Sequence, residues 1–164
     1  MLRTKYSLAF VASLALGIGF ATPTQAGRDD LNPTGVLKGN VEFLDESLGP
    51  LGGFQSDDLQ GRLRYVGRTT AEVVMKPQVQ ADGTVALGGV MVLADRDGDQ
   101  IRMEVVAEDV SIVDGKRVST ATLDCRYQIV GGTGRFVGVD GSARFKITIR
   151  CDWVRRRWTI TIEL

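Results

Sequence analysis

Two stretches of alternating apolar and polar residues enclose a glycine-dense segment near the C-terminal end of the chain. The apolar residues on both sides have odd numbers: Leu123, Cys125, Tyr127, Ile129, Phe145, Ile147, Ile149, Cys151 and Trp153. Alternation with a period of two is typical of β-strands that bury one face. Between the stretches lie glycines that can adopt positive φ: Gly131, Gly132, Gly134, Gly138 and Gly141. The pattern predicts a long β-hairpin with a kinked tip, in which these glycines are the structural turn.

A dinucleotide-binding loop is the alternative interpretation of the same glycines. That motif needs a strand before it, a helix after it and a third glycine at a fixed distance. The third glycine would fall at Val137, whereas the sequence has it at Gly138. The residues that follow, 142–153, alternate as a strand and do not open a helix. The hairpin interpretation is therefore favoured.

The remainder of the chain has the pattern of an antiparallel meander. Candidate strands occupy residues 35–44, 60–68, 71–80, 85–94, 100–112, 117–130, 142–153 and 157–164. Asp-Gly pairs at 82–83, 97–98 and 114–115 separate several of them. Asp-Gly between alternating runs is a strong hairpin signal, because both turn positions need positive φ. The pattern predicts an all-β fold, an eight-stranded antiparallel up-and-down β-barrel with an interior that is filled or holds one small ligand.

Two stretches depart from the simple meander. Residues 45–58 are rich in glycine and acidic residues and predict a loop, which is either a lid over a barrel mouth or a mobile surface connection. In the last strand, the apolar residues Trp158, Ile160 and Ile162 have even numbers. A turn at residues 154–157 is therefore expected to reverse the phase of the alternation.

The N-terminal 26 residues have the composition of a secretory signal peptide. Arg3 and Lys5 precede an apolar run at 7–20, and Thr-Gln-Ala at 24–26 has the small residues of a cleavage site. A retained membrane anchor is the alternative. We expect a signal peptide at 1–26, a flexible leader at 27–34 and the barrel at 35–164. The protein is thus predicted to be secreted, to the periplasm or the exterior, with no membrane contact after cleavage.

Charge and composition exclude several kinds of partner and site. The chain has 20 basic and 20 acidic residues, and removal of Arg3 and Lys5 leaves a net charge of −2. That balance does not favour a nucleic-acid partner, which usually binds a basic surface. The chain has no histidine, which excludes histidine-dependent triads and histidine metal sites. Two cysteines cannot form a structural zinc site alone, and we predict neither a metal nor a cofactor.

A family resemblance is found in the glycine-dense segment. The sequence GGTGRFVGVDGSARF, preceded by YQIV, resembles the GGTG-x-F-x-G-x-x-G signature of the allene oxide cyclase and dirigent-like barrels, which is also found in secreted bacterial proteins of unassigned role. The resemblance implies an eight-stranded antiparallel barrel with a central cavity, and a homo-oligomer as in many plant members. The signature is structural in that family, so it implies a fold and transfers no catalytic residue.

The two cysteines are predicted to form a disulfide. If the hairpin pairs Ile129 with Ile147 and Tyr127 with Ile149, the same register places Cys125 opposite Cys151 on the inward face. Export makes oxidation of such a pair feasible. Two buried free thiols are the alternative, and the choice depends on the register of the hairpin.

Four residues are candidates for contact with a small apolar ligand inside the barrel: Tyr65, Met103, Tyr127 and Trp153. Tyr65 has the parity of Leu63, and Tyr127 lies on the inward face of the hairpin. Tyrosine and tryptophan combine a large apolar body with a polar tip, which suits a binding pocket. For each tyrosine, a core aromatic residue with a satisfied hydroxyl is the favoured interpretation.

Two charged segments have a functional and a simpler interpretation. The segment DRDGD at 95–99 resembles the start of a calcium loop, but Gln100 and Val106 stand where an EF-hand needs glycine and glutamate. A hairpin turn with solvated acids is favoured, and weak calcium binding at the surface is left open. The run Arg155-Arg156-Arg157 between two tryptophans resembles an anion-binding patch, and a solvated turn is favoured there too.

These observations favour a secreted, non-catalytic β-barrel module. It would bind a small apolar ligand or serve as an envelope or extracellular interaction protein. The alternative is a cyclase or isomerase that acts on a lipid-like or phenolic substrate in the barrel cavity, since a shaped pocket can promote such chemistry without a recognisable motif. A third interpretation is a structural protein whose barrel is packed solid. The volume of the interior separates these interpretations.

Overall fold

The structure, a computed structural model, describes residues 31–79 and 81–164. The predicted signal peptide and the first four residues of the leader lie outside the described residues. The strands are β1 (Gly35–Asn40), β2 (Glu42–Phe43), β3 (Phe54–Leu63), β4 (Gly67–Val79), β5 (Val85–Ala94), β6 (Gln100–Val113), β7 (Val118–Gly132), β8 (Ser142–Asp152) and β9 (Arg157–Glu163), with short 3₁₀ turns at Gly49–Gly52 and Gly134–Phe136. None of the described helical turns has the length and apolarity needed to cross a membrane.

The strands close into a barrel. Each strand from β3 to β8 pairs antiparallel with the next one along the chain. β1 pairs with both β9 and β3, so that Leu37 lies opposite Ile162 on one side and Gly61 on the other. β2 continues the direction of β1 and pairs with the beginning of β3. The eight-stranded antiparallel barrel predicted from the sequence is thereby confirmed.

Alternate connections of the meander share an end of the barrel. We call one the GGTG end, formed by the connections at 64–66, 95–99 and 133–141. We call the other the arginine end, formed by the connections at 44–53, 81–84, 114–117 and 153–156. β1 and β2 together, and each later strand, run from one end to the other, so a residue's place in its strand fixes the end at which it lies.

The third strand begins earlier than its pattern predicts. β3 starts at Phe54, so the predicted loop at 45–58 is shorter and occupies 44–53. The β3–β4 register shifts between Ser56 and Leu59, which marks a β-bulge. The buried residues have even numbers before the bulge and odd numbers after it. The alternation is therefore interrupted within the strand, and the first part of β3 does not fit the pattern of the second.

The aspartate-glycine pairs lie in hairpin connections, but their turn type differs from the prediction. Gly83 and Gly98 have positive φ, whereas neither preceding aspartate has. These aspartates therefore do not form the predicted pairs of left-handed turn residues. Asp82 accepts hydrogen bonds from the Thr84 amide at 2.9 Å and the Thr84 hydroxyl at 2.7 Å. Its side chain thus stabilises a longer turn than a two-residue hairpin.

The register of the β7–β8 hairpin separates the two cysteines. Cys125 lies opposite Phe145, and Cys151 lies opposite Ser119. Because the hairpin turns near Arg135, Cys151 lies six residues along β8 from the position opposite Cys125. Six residues of a strand span about 20 Å. Both cysteines are buried free thiols, and the predicted disulfide is wrong. Burial is the main cause that raises the pKa of Cys125, to about 12, and it also raises the pKa of Cys151.

Candidate functional site

The barrel interior is filled by side chains. The largest residues that are less than 2% exposed are Leu37, Phe54, Leu59, Leu63, Met75, Met91, Leu93, Ile101, Met103, Leu123, Tyr127 and Ile147. A void of ligand size would leave accessible surface on the side chains around it. These residues have almost none, so they enclose no such space. The inward parity predicted for β7, β8 and β9 is confirmed by the burial pattern of each strand.

Two of the four ligand-binding candidates belong to this core. Met103 is fully buried, and Tyr127 is 1% exposed. The Tyr127 hydroxyl donates a hydrogen bond of 2.9 Å to the Asn32 side-chain oxygen. Burial raises the pKa of Tyr127 to about 12. Tyr127 is therefore a core aromatic residue with a satisfied hydroxyl, which is the simpler of its two interpretations.

The other two candidates lie on the surface at opposite ends of the barrel. Tyr65 is in the β3–β4 turn with φ 69° and 59% exposure, so its predicted inward orientation is wrong. Trp153 follows β8 at the arginine end and is 49% exposed. The structure therefore does not bring the four residues together, and a shared ligand site remains only a prediction from the sequence.

The GGTG loop is joined to the DRDGD turn by an ion pair between the half-exposed Arg135 and the buried Asp95. Arg135 Nε donates to Asp95 Oδ2 at 2.7 Å, and the Asp95 side chain is 2% exposed. Asp95 Oδ1 also accepts hydrogen bonds from the amides of Asp97 and Asp99, at 2.9 and 3.0 Å. Burial acts to raise the pKa of Asp95, but the bonds from Arg135 and from these amides lower it below its ordinary value. Asp95 is thus engaged as an ionised structural acceptor.

The same loop covers the GGTG end of the barrel. Arg135 also donates from Nη2 to the Val66 carbonyl at 2.6 Å, and its guanidinium lies 4.5 Å from the centre of the Phe136 ring. Phe136 and Val139 of this loop and Val66 of the β3–β4 turn are buried in the core. Positive φ occurs at Gly134, Gly138 and Gly141, whereas Gly131 and Gly132 end β7 and are not turn residues as predicted. The motif therefore has a structural role in this chain.

Exposed apolar side chains are concentrated at the opposite end. Of the fifteen large apolar residues that are exposed in the described chain, nine lie at the arginine end: Leu44, Leu48, Leu51, Val79, Val85, Ile112, Val113, Trp153 and Val154. The GGTG end and the barrel wall share the remaining six. Large exposed apolar patches on soluble proteins generally mark interaction sites. The arginine end is therefore the candidate functional site.

Two neighbouring hairpin tips carry the basic residues of this end. The Trp153 amide donates to the Arg117 carbonyl at 3.0 Å, which joins the β8–β9 tip to the β6–β7 tip. Trp153 Nε1 donates to the Ser119 hydroxyl at 2.8 Å, and its ring meets Trp158 edge to face at 6.3 Å. The tips contain five basic residues and two acidic ones: Lys116, Arg117, Arg155, Arg156, Arg157, Asp114 and Asp152.

Two clefts lie at this end. One, of about 510 Å³, is lined by Phe43, Glu46, Arg157 and Trp158 among others, and the buried Trp158 Nε1 has no hydrogen-bond partner among the described residues. The other, of about 540 Å³, lies where the strands β5 and β6 separate. Their pairing ends at Gly88 opposite Val106, whereas β6 continues to Val113. Among the described strands, the continuing part of β6 pairs with β7 alone.

Comparison with family models, with curated proteins and with solved structures found no match to this chain. The resemblance to allene oxide cyclase and dirigent-like barrels therefore remains a prediction from the glycine-dense segment. Within the described ranges, no three aspartate, glutamate or cysteine side chains are grouped so that they could hold a metal ion.

Proposed function

We propose that this protein is a secreted, non-catalytic β-barrel module that binds a partner through its arginine end. The observation that carries the proposal is the concentration of exposed apolar side chains at one end of a barrel with a filled interior. A filled interior provides no pocket for a small ligand, so binding is expected to use the outer surface. Apolar side chains that stay in water do not contribute hydrophobic stabilisation to the fold. A partner that covers them removes their surface from water, which favours binding.

The state of the buried polar groups also supports a binding role. Asp95 is engaged by Arg135 and by backbone amides, and the Tyr127 hydroxyl is bonded to Asn32. The raised pKa values of Cys125 and Cys151 keep both thiols protonated at neutral pH, which makes them poor nucleophiles. These groups serve the fold and are not poised for chemistry on a substrate.

Site-specific photo-crosslinking in the native host tests this proposal. A photoreactive residue at Val154, which is 72% exposed at the arginine end, is expected to give adducts on the exported protein. The matched control is Val137, which is 65% exposed at the GGTG end and should give few or none. Equal adduct yields at the two positions would contradict the proposal, and so would a lack of adducts at Val154.

A further inference from the structure

We infer that the arginine end docks on an anionic lipid surface through its two joined hairpin tips. The inference rests on the proposed function, names the class of partner and departs from the expectation that the secreted protein has no membrane contact. We call the docking surface the Trp-Arg patch, formed by Val113, residues 116–117 and residues 153–157. It combines exposed apolar groups with a local excess of positive charge, the combination that binds peripheral proteins to anionic membranes.

The exposed apolar side chains of the patch lie at the tips of the β6–β7 and β8–β9 hairpins. Val113 is the last residue of β6 and is 71% exposed, and Val154, in the β8–β9 turn, is 72% exposed. Trp153 is 49% exposed and is held by its bonds to Ser119 and Arg117. A tryptophan with one apolar face and a bonded N–H suits the boundary between headgroups and acyl chains. Because the tips are joined, these three side chains can enter that boundary together.

Charge is distributed unevenly over the described chain. The two tips have five basic and two acidic residues, a net charge of +3, whereas the described residues as a whole have 17 basic and 18 acidic ones. The rest of the described chain therefore has a net charge of −4. Asp45, Glu46 and Asp82 lie on the other connections of the same end. An anionic surface consequently attracts the tips and repels the neighbouring connections, which fixes the orientation of docking.

A lipid surface fits the patch better than a soluble polyanion does. A polyanion would engage the arginines but leave Val113 and Val154 in water. A headgroup layer satisfies both, since phosphates meet the basic side chains while the valines enter the apolar region below. Arg155, Arg156 and Arg157 are all exposed, and the Arg155 guanidinium lies 3.5 Å from the Asp152 carboxylate, so their charges are accessible to headgroups.

Vesicle flotation with the exported protein tests the inference. We expect binding to vesicles of phosphatidylcholine with 30% phosphatidylglycerol, weaker binding at high salt, and little binding to phosphatidylcholine alone. The double variant Arg155→Gln/Arg157→Gln should lose about 25-fold in affinity, since each cation near an anionic surface contributes about 5-fold. The double variant Val113→Ser/Val154→Ser keeps the charge and should lose about 10-fold.

The matched control is Arg64→Gln/Arg96→Gln, which removes two exposed charges at the GGTG end and should bind as the parent protein does. An equal loss in that control would overturn the inference, because it would mean that total charge alone governs binding. Serine variants that bind unchanged, together with full competition by soluble polyphosphate, would assign the patch to polyanions and overturn the inference as well.

Photo-crosslinks from Val154 to a protein, without vesicle binding, would reject the lipid and keep the proposed function. No adducts at Val154 would reject both.

Discussion

Replacing Gly134 by alanine is expected to lower the free energy of unfolding by about 3 kcal/mol. Gly134 has φ 52°, where a Cβ atom is strained, and a Cβ built there would overlap the carboxylate of Asp99. That carboxylate accepts a hydrogen bond of 3.1 Å from the Arg135 amide. Alanine would therefore displace Asp99 and loosen the connection between the GGTG loop and the DRDGD turn. Urea denaturation followed by circular dichroism measures the loss.

Two other glycines of the same segment separate the causes. Gly138 has φ 77° but open space around it, so Gly138→Ala should cost only the backbone strain, about 1.5 kcal/mol. Gly131 has neither positive φ nor a close neighbour, and Gly131→Ala in a strand should be neutral or stabilising by about 0.5 kcal/mol. Equal costs at the three positions would show that the loop does not have this conformation in solution.

Replacing Met103 by alanine is expected to cost about 3 kcal/mol, because it removes packed atoms and leaves a cavity. Met103 is fully buried between strands β5 and β7, opposite Met91 and Ile129. The control is Val106→Ala on the outward face of the same strand, where the side chain is 44% exposed and the cost should stay below about 1 kcal/mol. Urea denaturation measures both. A cost for Met103→Ala as small as that of the control would indicate that Met103 faces open space, as a ligand-binding barrel would require.

Alternation along the chain was sufficient to predict the fold. The parity of Leu123, Ile147 and Ile160 gave the inward face correctly, because one face of each strand is buried. The register of the hairpin could not be obtained from parity, since shifts of two, four or six residues preserve it. The continuation of β7 through Gly131 and Gly132 moved the turn, and the predicted disulfide failed with it.

The candidate site was only partly accessible to sequence reasoning. Tyr65 was assigned inward by parity, but a turn begins after Leu63 and parity no longer applies there. The Asp95–Arg135 ion pair joins residues 40 positions apart, and no spacing rule indicates such a pair. In a meander, alternate connections share an end of the barrel. The exposed apolar residues of each connection can therefore be assigned to an end from the order of the strands. The sequence pattern predicts Trp153 as an inward residue and Arg155, Arg156 and Arg157 as a solvated turn, so it does not indicate that Trp153 is exposed beside the arginines.

Xenon binding measures most directly whether the barrel of the exported protein is filled. Xenon enters dry apolar cavities and is visible in pressurised crystals. A filled barrel should show no xenon near Met103 and Tyr127, and the Met103→Ala variant, which creates a cavity, should gain a site there as the positive control. Xenon at high occupancy inside the unmodified barrel would contradict the filled interior and restore a ligand or a substrate as its occupant.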